Sequence, residues 1–191
     1  MTVILISGSP SPASSGARLL HHIGACLASH GHECIRLQVR DLPAAALLHG
    51  DGSDPAIARA LAQVEAADAV VIATPIYQAS FAGILKCFLD LLPQEGLDGK
   101  LVLPVATGGS QSHLLALDYA LRPVLSALAA RFILPSIYAA SSQLVWHAED
   151  GLQLDAPIAS RVTRGVEQLS AELFALALRR PRQLDPLTAI A

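Results

Sequence analysis

Short runs of consecutive apolar residues alternate along the chain with longer segments in which apolar residues recur every three or four positions. An uninterrupted run such as Ala-Val-Val-Ile-Ala at 69–73 is typical of a strand that is buried on both faces of a parallel sheet. Runs of this kind predict five strands, over Thr2–Ile6, Glu33–Val39, Ala69–Ala73, Lys100–Ala106 and Phe132–Tyr138. The periodic segments between and after them predict helices near 15–29, 55–66, 81–91, 113–130 and 156–179.

This alternation of strands and helices predicts a doubly wound α/β domain. Because crossover connections are right-handed, few topologies remain. We expect a flavodoxin-like three-layer sandwich with a five-stranded parallel sheet in the order 2-1-3-4-5, an order that places a ligand between strands 1 and 3. The length of 191 residues fits one domain, which we place at 1–178 and follow with a tail at 179–191.

The helical segment at 113–130 contains a proline, Pro123. Its ring has no N–H and crowds the carbonyl of Tyr119, four residues earlier. We therefore expect a kink near Leu117–Arg122, for which a π-type turn is one form. The segment also has more leucine and valine than one core-facing stripe needs, which predicts a homodimer or homotetramer.

Composition and charge narrow the class of protein. Hydrophobic residues make up 52% and charged residues 15%, and a net charge of −3 gives no reason to expect nucleic acid or an anionic membrane as a partner. No apolar stretch reaches the roughly 18 residues that cross a bilayer, and the start of the chain lacks the features of a secretory signal. The three scattered cysteines, Cys26, Cys34 and Cys87, are interpreted as small buried residues in a reducing cytoplasm.

The segment that joins the first strand to the first helix is rich in serine, glycine and proline. Its glycine spacing matches neither the dinucleotide fingerprint nor the Walker loop. The unpaired N–H groups of the following helix attract anions, and hydroxyls can add further donors from Ser9, Ser11, Ser14 and Ser15. The segment therefore predicts either a nest for a terminal phosphate monoester or a serine-capped, solvated loop.

A second unusual loop follows the third strand. We expect Pro75 to end the pairing of that strand because proline lacks an N–H. Ile76 and Tyr77 would then be exposed at the carboxyl edge of the sheet, where a flat ligand could cover them. A turn with a packed tyrosine is the alternative.

A third loop, Thr107-Gly108-Gly109, leaves the fourth strand at the same edge. Paired glycines allow the backbone to approach a ligand closely. Backbone N–H and C=O groups can then form hydrogen bonds with the donors and acceptors of a polar ring. His113 follows at the predicted start of the next helix, where we interpret it as a capping or interface residue rather than a catalytic one.

The three loops together describe a ligand with a phosphate, a flat ring and a polar ring edge. FMN has these three parts. An adenine dinucleotide fits less well. In dinucleotide-binding domains an acidic residue after the second strand binds the ribose, and the run Val39-Arg40-Asp41 comes close to that position. Without the glycine fingerprint, however, this run is not evidence for a dinucleotide site.

Three stretches carry a resemblance to a known family: "SGSPSPASSGARLL", "VVIATPIYQASFAGILKCFLDLLP" and "KLVLPVATGGSQSHLLALDYALRPVLSAL". They resemble the NADPH-dependent FMN reductases of the flavodoxin-like superfamily, in the branch that supplies reduced flavin to sulfonate monooxygenases. The likeness covers roughly residues 1–178. It implies phosphate contacts from Ser9, Ser11, Ser14 and Ser15, ring contacts from Pro75, Ile76 and Tyr77, and polar-edge contacts from Thr107, Gly108 and Gly109.

The chain departs from the family pattern at Ser11, where the family commonly has an arginine. Either Arg18 supplies the missing charge, or the helix dipole and the hydroxyls hold the phosphate alone. The family resemblance also implies a subunit contact near the flavin for Tyr119.

The resemblance implies hydride transfer from NADPH to FMN, followed by delivery of reduced FMN to a flavin-dependent monooxygenase. The cofactor carries this chemistry, so we expect no catalytic side chain and no metal. An FMN-retaining NAD(P)H quinone or azo reductase remains an alternative. A flavodoxin-type electron carrier is disfavoured, because aromatic residues are only 4% of the chain. The preference for NADPH over NADH rests on the resemblance.

Overall fold

A computed structural model describes residues 1–147, 149 and 151–179. Its main sheet has five parallel positions, the last of them occupied by two short strands. These strands are β1 (Thr2–Ser7), β2 (Glu33–Gln38), β3 (Ala69–Tyr77), β5 (Leu101–Gly108), β6 (Phe132–Ile133) and β7 (Ile137–Ala140). The order β2-β1-β3-β5, with β6 and β7 both beside β5, confirms the predicted order 2-1-3-4-5. A further short strand, β4 (Ser80–Phe81), pairs antiparallel with the end of β3.

Helices cover both faces of the sheet. They are α1 (Ser15–Ser29), α2 (Ala44–His49), α3 (Pro55–Ala66), α4 (Gly83–Leu89), α5 (Arg122–Ala127) and α6 (Ala156–Arg179). Alternate residues of β1 enter different cores: Val3 and Leu5 pack with α1 and α6, while Ile4 and Ile6 pack with α2 to α5. Two apolar cores on opposite faces of one sheet confirm the predicted three-layer sandwich.

Proline explains two differences from the expected strands. Pro135 separates β6 from β7, because a residue without an N–H interrupts the ladder. The expectation that Pro75 ends the third strand is wrong: β3 continues to Tyr77, and Pro75 pairs in register with Thr107. Since β1 ends at Ser7, opposite Ala73, no strand among the described residues lies on the side that the Pro75 N–H would have faced.

The helix expected over 113–130 is divided into three parts. A 3₁₀ turn covers Gln111–Leu114, a π-helical turn covers Leu117–Leu121, and α5 follows. The amide of Arg122 donates to the carbonyl of Leu117, five residues earlier, which confirms the predicted wide turn. Pro123 lies in the first turn of α5, a position at which proline is common.

Several short elements were not predicted from the sequence, β4 among them. The helix α2 has only six residues, too few for its periodicity to stand out. A separate antiparallel hairpin, β8 (Leu144–His147) with β9 (Gly151–Leu154), follows the sheet and precedes α6.

The cysteines differ from the expectation of full burial. Cys26, Cys34 and Cys87 are half-buried and unpaired.

Among the described residues, no helix combines the length and apolar character needed to cross a membrane. Of the predicted tail, Arg179 ends α6, and 180–191 lie outside the described residues.

Candidate functional site

The loops that follow β1, β3 and β5 meet at the carboxyl edge of the sheet, which we call the rim. The amide of Gly8 donates to the carbonyl of Ala73 at 2.8 Å, which joins the first loop to the third strand. The hydroxyl of Thr107 lies 3.2 Å from the point where a Cβ of Gly16 would stand, so the end of β5 contacts the first turn of α1. The structure therefore brings together the three loops that the sequence singled out.

Ser14 caps α1. Its hydroxyl accepts a 3.3 Å hydrogen bond from the amide of Ala17, and its carbonyl accepts one of 3.1 Å from the amide of Arg18. The amides of Ser15 and Gly16 have no acceptor within the helix. These two donors, at the positive end of the helix dipole, are suited to hold an anion.

Ser9 and Ser11 shape this loop from within. The side chain of Ser9 is buried and accepts a 3.2 Å hydrogen bond from the amide of Ser11. The guanidinium of Arg40 donates to the carbonyl of Ser11 at 2.9 Å. Arg40 lies in a 3₁₀ turn, Val39–Asp41, directly after β2. Its contact with the loop was missed, since no motif links two positions that are 29 residues apart.

Arg18 is the fourth residue of α1 and is not an isolated cation. Its guanidinium carbon stands 4.4 Å from the ring centroid of Trp146, in β8. Sequence reasoning missed this aromatic partner because it belongs to the hairpin that was not predicted.

The second loop of the rim is a tight hairpin between β3 and β4. Thr74 fixes its base, because its buried hydroxyl accepts from the amide of Ala82 at 3.0 Å and donates to the carbonyl of Pro75 at 3.0 Å. At its tip, Gln78 and Ala79 have φ angles of 46° and 61°. Positive φ at both central positions is typical of a type I′ turn and strains residues other than glycine, a feature that clusters at functional sites.

The side chains of this hairpin differ in exposure. Tyr77 is 51% exposed, as expected. The expectation for Ile76 is wrong: it is buried and belongs to the core beneath the rim. Because side chains alternate along a strand that continues past Pro75, only one of the two can face outward.

The third loop depends on Tyr138 of β7. A Cβ at Gly108 would stand 2.5 Å from the Tyr138 hydroxyl, so no larger residue fits there without movement. The hydroxyl donates at 2.5 Å to the carbonyl of Ser110. Burial raises the pKa of Tyr138, which keeps the phenol protonated as a donor. A Cβ at Gly109 would meet nothing within 4 Å, so only this second glycine is open at the rim.

His113 lies in the 3₁₀ turn, not at the start of an α-helix. Its Nδ1 atom is buried and has no hydrogen-bond partner in the described part of the chain. A cavity of about 290 Å³ lies beside it, between Ala79 of the rim hairpin and Tyr119 of the π-helical turn. The rim therefore has an open space next to the glycine loop.

The residues at the rim fit FMN. Unused amides at the start of α1 suit a phosphate, exposed Tyr77 suits a flat ring, and the open backbone at Gly109 suits a ring edge with its own donors and acceptors. The three features lie on three neighbouring loops of one edge, as a ligand of this shape requires.

Comparison with known proteins agrees with this geometry. Residues 1–144 match the model of the NADPH-dependent FMN reductase family. An FMN reductase (NADPH) of Pseudomonas putida strain KT2440 is 44% identical over 188 residues, which cover 97% of this chain and 93% of the relative. The NADH-dependent FMN reductase SfnE of Pseudomonas putida is 33% identical over 174 residues, covering 90% and 94%.

A solved structure supports the same assignment. The apo form of an NADH:FMN oxidoreductase (EMOB) superposes with a TM-score of 0.82 at 37% identity, covering 90% of this chain and 89% of that one. From its sequence, its fold and the residues at its rim, this chain belongs to the NADPH-dependent FMN reductase family, a family of oxidoreductases that use FMN and NADPH.

Proposed function

We propose that this protein reduces FMN with NADPH and delivers the reduced flavin to a partner monooxygenase, in the use of organosulfur compounds such as sulfonates. The observation that carries the proposal is the meeting of the α1 N-terminus with the open glycine loop on one rim, in a chain of this family. The similarity to SfnE, at lower identity, supports the NAD(P)H-dependent reaction.

The residues of the rim have distinct roles in this proposal. The amides of Ser15 and Gly16 hold the phosphate, with the hydroxyls of Ser11, Ser14 and Ser15 around them. Ser9 acts indirectly, because its hydroxyl already holds the loop. Thr107, Gly108 and Gly109 present backbone groups to the polar ring edge, and Pro75, Ile76 and Tyr77 form the hairpin beside the ring; of these three, only Tyr77 is exposed.

FMN bound at the rim supplies the hydride-accepting chemistry. The protein contributes position: rigid loops hold two rings in reacting geometry and reduce the entropy lost on reaction. Backbone N–H groups near Gly109 stabilise negative charge that develops at the polar ring edge. No side-chain acid or base is needed for these roles, so no catalytic residue is assigned.

Loose flavin binding favours release over retention. At Ser11 the loop has a small hydroxyl in place of the arginine common in the family, and Arg40 contacts only the Ser11 carbonyl there. A loop with serine at position 11 lacks the bidentate clamp that an arginine within the loop would provide, so it holds the phosphate less tightly. This supports FMN as a released substrate, against the alternative of a quinone or azo reductase that retains FMN.

The assembly is proposed to be a homodimer or homotetramer. Tyr119 is 79% exposed and Leu115 is 57% exposed, on the irregular segment beside the rim. A second copy would cover such side chains. We also propose a cytoplasmic location, which the three unpaired cysteines support.

One assay tests the function. NADPH oxidation is followed with free FMN, with a quinone and with an azo dye as acceptor, each at matched NADPH and then with NADH. We expect saturable turnover with excess FMN and release of reduced flavin into solution. Turnover with quinone alone, with FMN remaining bound through gel filtration, would overturn the proposal in favour of the retaining reductase.

A further inference from the structure

Arg18 and Trp146 form a contact that nothing in the proposed function uses. The guanidinium carbon lies 4.4 Å from the centroid of the Trp146 ring. Arg18 is half-buried on α1, and Trp146 is 48% exposed on the hairpin that follows the sheet. The contact therefore connects the phosphate end of α1 to a separate element, with part of the ring open to solvent.

Arg18 lies in the same helical turn as the unused amides of Ser15 and Gly16. Residues three and four apart are neighbours on a helix surface, so Arg18 lies beside Ser15 and Ser14. Because the Cα–Cβ bonds of a helix tilt toward its N-terminus, a long side chain at position 18 extends toward the turn whose amides are unused.

The charge of Arg18 is not neutralised within the described part of the chain. The ion pairs found there use Arg40, Lys86, Arg122 and Arg131 as their cations. A guanidinium that lies over an aromatic ring is stabilised by the ring face, and its N–H donors remain available in its plane. Among residues 1–147, 149 and 151–179, Arg18 is thus a positioned cation without an anionic partner.

We propose that Trp146 positions Arg18 to contact the flavin phosphate, so that this pair selects FMN over unphosphorylated riboflavin. The inference rests on the proposed function, because it assumes that FMN binds at the rim. It assigns Arg18 as the phosphate-contacting cation of a loop with serine at position 11. It assigns Trp146 a positioning role, which acts through Arg18.

The test compares dissociation constants for FMN and riboflavin by flavin fluorescence titration. Arg18→Ala is expected to weaken FMN binding roughly 10- to 100-fold and to leave riboflavin binding unchanged. Trp146→Ala is expected to weaken FMN binding about two- to fivefold, with recovery in Trp146→Phe, which retains a ring. The double variant should be no weaker than Arg18→Ala, since Trp146 acts only through Arg18.

Arg164→Ala provides the matched control. Arg164 is an exposed cation on α6, so its removal changes the net charge by the same amount without touching the α1 loop. It should leave both flavin affinities unchanged. The inference is overturned if Arg18→Ala weakens the binding of FMN and riboflavin equally, or if it weakens the binding of neither. The Arg18–Trp146 pair would then serve only to hold the hairpin against α1.

Trp146 is the single tryptophan of the chain, so its fluorescence reports on this contact directly. FMN should quench it at the concentration that saturates binding, and Arg18→Ala should shift that quenching to higher FMN concentration. A wild-type protein that binds neither flavin would overturn the proposed function itself. A wild-type protein that binds FMN and riboflavin with equal affinity would overturn only the proposed role of Arg18 and Trp146.

Discussion

The phenol of Tyr138 donates a hydrogen bond of 2.5 Å to the backbone carbonyl of Ser110, 28 residues earlier in the chain. The donor is buried in the last strand of the sheet, while the acceptor follows the two glycines of the rim. The bond fixes the path of the chain just beyond Gly108, the last residue of β5.

Removal of this hydroxyl tests its role. We expect Tyr138→Phe to lower the free energy of unfolding by about 1 kcal/mol and to weaken FMN binding severalfold, since the Ser110 carbonyl loses its donor. Urea unfolding and FMN titration measure the two effects. Unchanged FMN affinity in a destabilised protein would show that the bond serves only the fold.

The two glycines of the rim should respond differently to a methyl group. A Cβ at Gly108 meets the Tyr138 hydroxyl at 2.5 Å, whereas one at Gly109 meets nothing within 4 Å. Gly108→Ala should therefore reduce stability by about 1–3 kcal/mol, and Gly109→Ala should leave it nearly unchanged. Combining Gly108→Ala with Tyr138→Phe should recover part of the loss, because the clashing oxygen is gone. Equal destabilisation by the two alanines would contradict this packing.

A carboxylate at the start of α1 should separate folding from flavin binding. Ser15→Asp places a negative charge at the positive end of the helix dipole, so we expect stability to rise by about 0.3–1 kcal/mol. The same charge should repel the phosphate and lower FMN affinity about tenfold. Ser15→Asn, which lacks the charge, is the control. If Ser15→Asp leaves the FMN affinity unchanged, the phosphate does not bind at the start of α1.

The π-helical turn provides a test of assembly. Tyr119 is highly exposed there, and we expect it to bridge subunits beside the rim. Tyr119→Ala should then lower the oligomeric state measured by light scattering or retain FMN abnormally, without loss of helical signal. A wild-type monomer at micromolar concentration would contradict the assembly, and a variant with normal assembly and normal FMN release would remove the role of Tyr119.

A buried histidine predicts how stability depends on pH. The Nε2 atom of His32 lies 2.8 Å from the hydroxyl of Ser170, which ties the start of β2 to α6. Burial lowers the pKa of His32, and the charges of the N-terminal amine and His30 act in the same direction. Burial, followed by the charge of His21, also lowers the pKa of His22.

The direction of this pH dependence follows from the difference in proton uptake between the folded and unfolded states. Below the usual histidine pKa of about 6.5, the unfolded chain binds protons that the folded protein does not, so stability falls as the pH falls. The stabilisation is fully present above that value and is lost as the pH drops through the lowered folded pKa. His32→Gln should reduce the slope of unfolding free energy between about pH 5 and pH 7, measured by urea titration. An unchanged slope would show that His32 does not carry the effect.

The sequence determined the architecture and the edge of the sheet at which the candidate site lies. Apolar runs over β1, β3 and β5 marked strands buried on both faces, because a strand between two helical layers has no polar side. Parallel strands bring their carboxyl ends to one edge, so the order of the strands was enough to group the loops after Ser7, Tyr77 and Gly108. The wide turn at Leu117–Leu121 also followed from sequence, because the effect of Pro123 is local.

Tertiary structure decided where each rim residue lies and what it contacts. Pro75 is tolerated inside β3 only because β1 ends opposite Ala73, and Ile76 is buried as a consequence. Tyr138 reaches Gly108, Arg40 reaches Ser11 and Trp146 reaches Arg18 across long separations in the chain. Periodicity and spacing describe neighbours along the backbone, whereas these contacts depend on where separate elements pack, which local pattern does not encode.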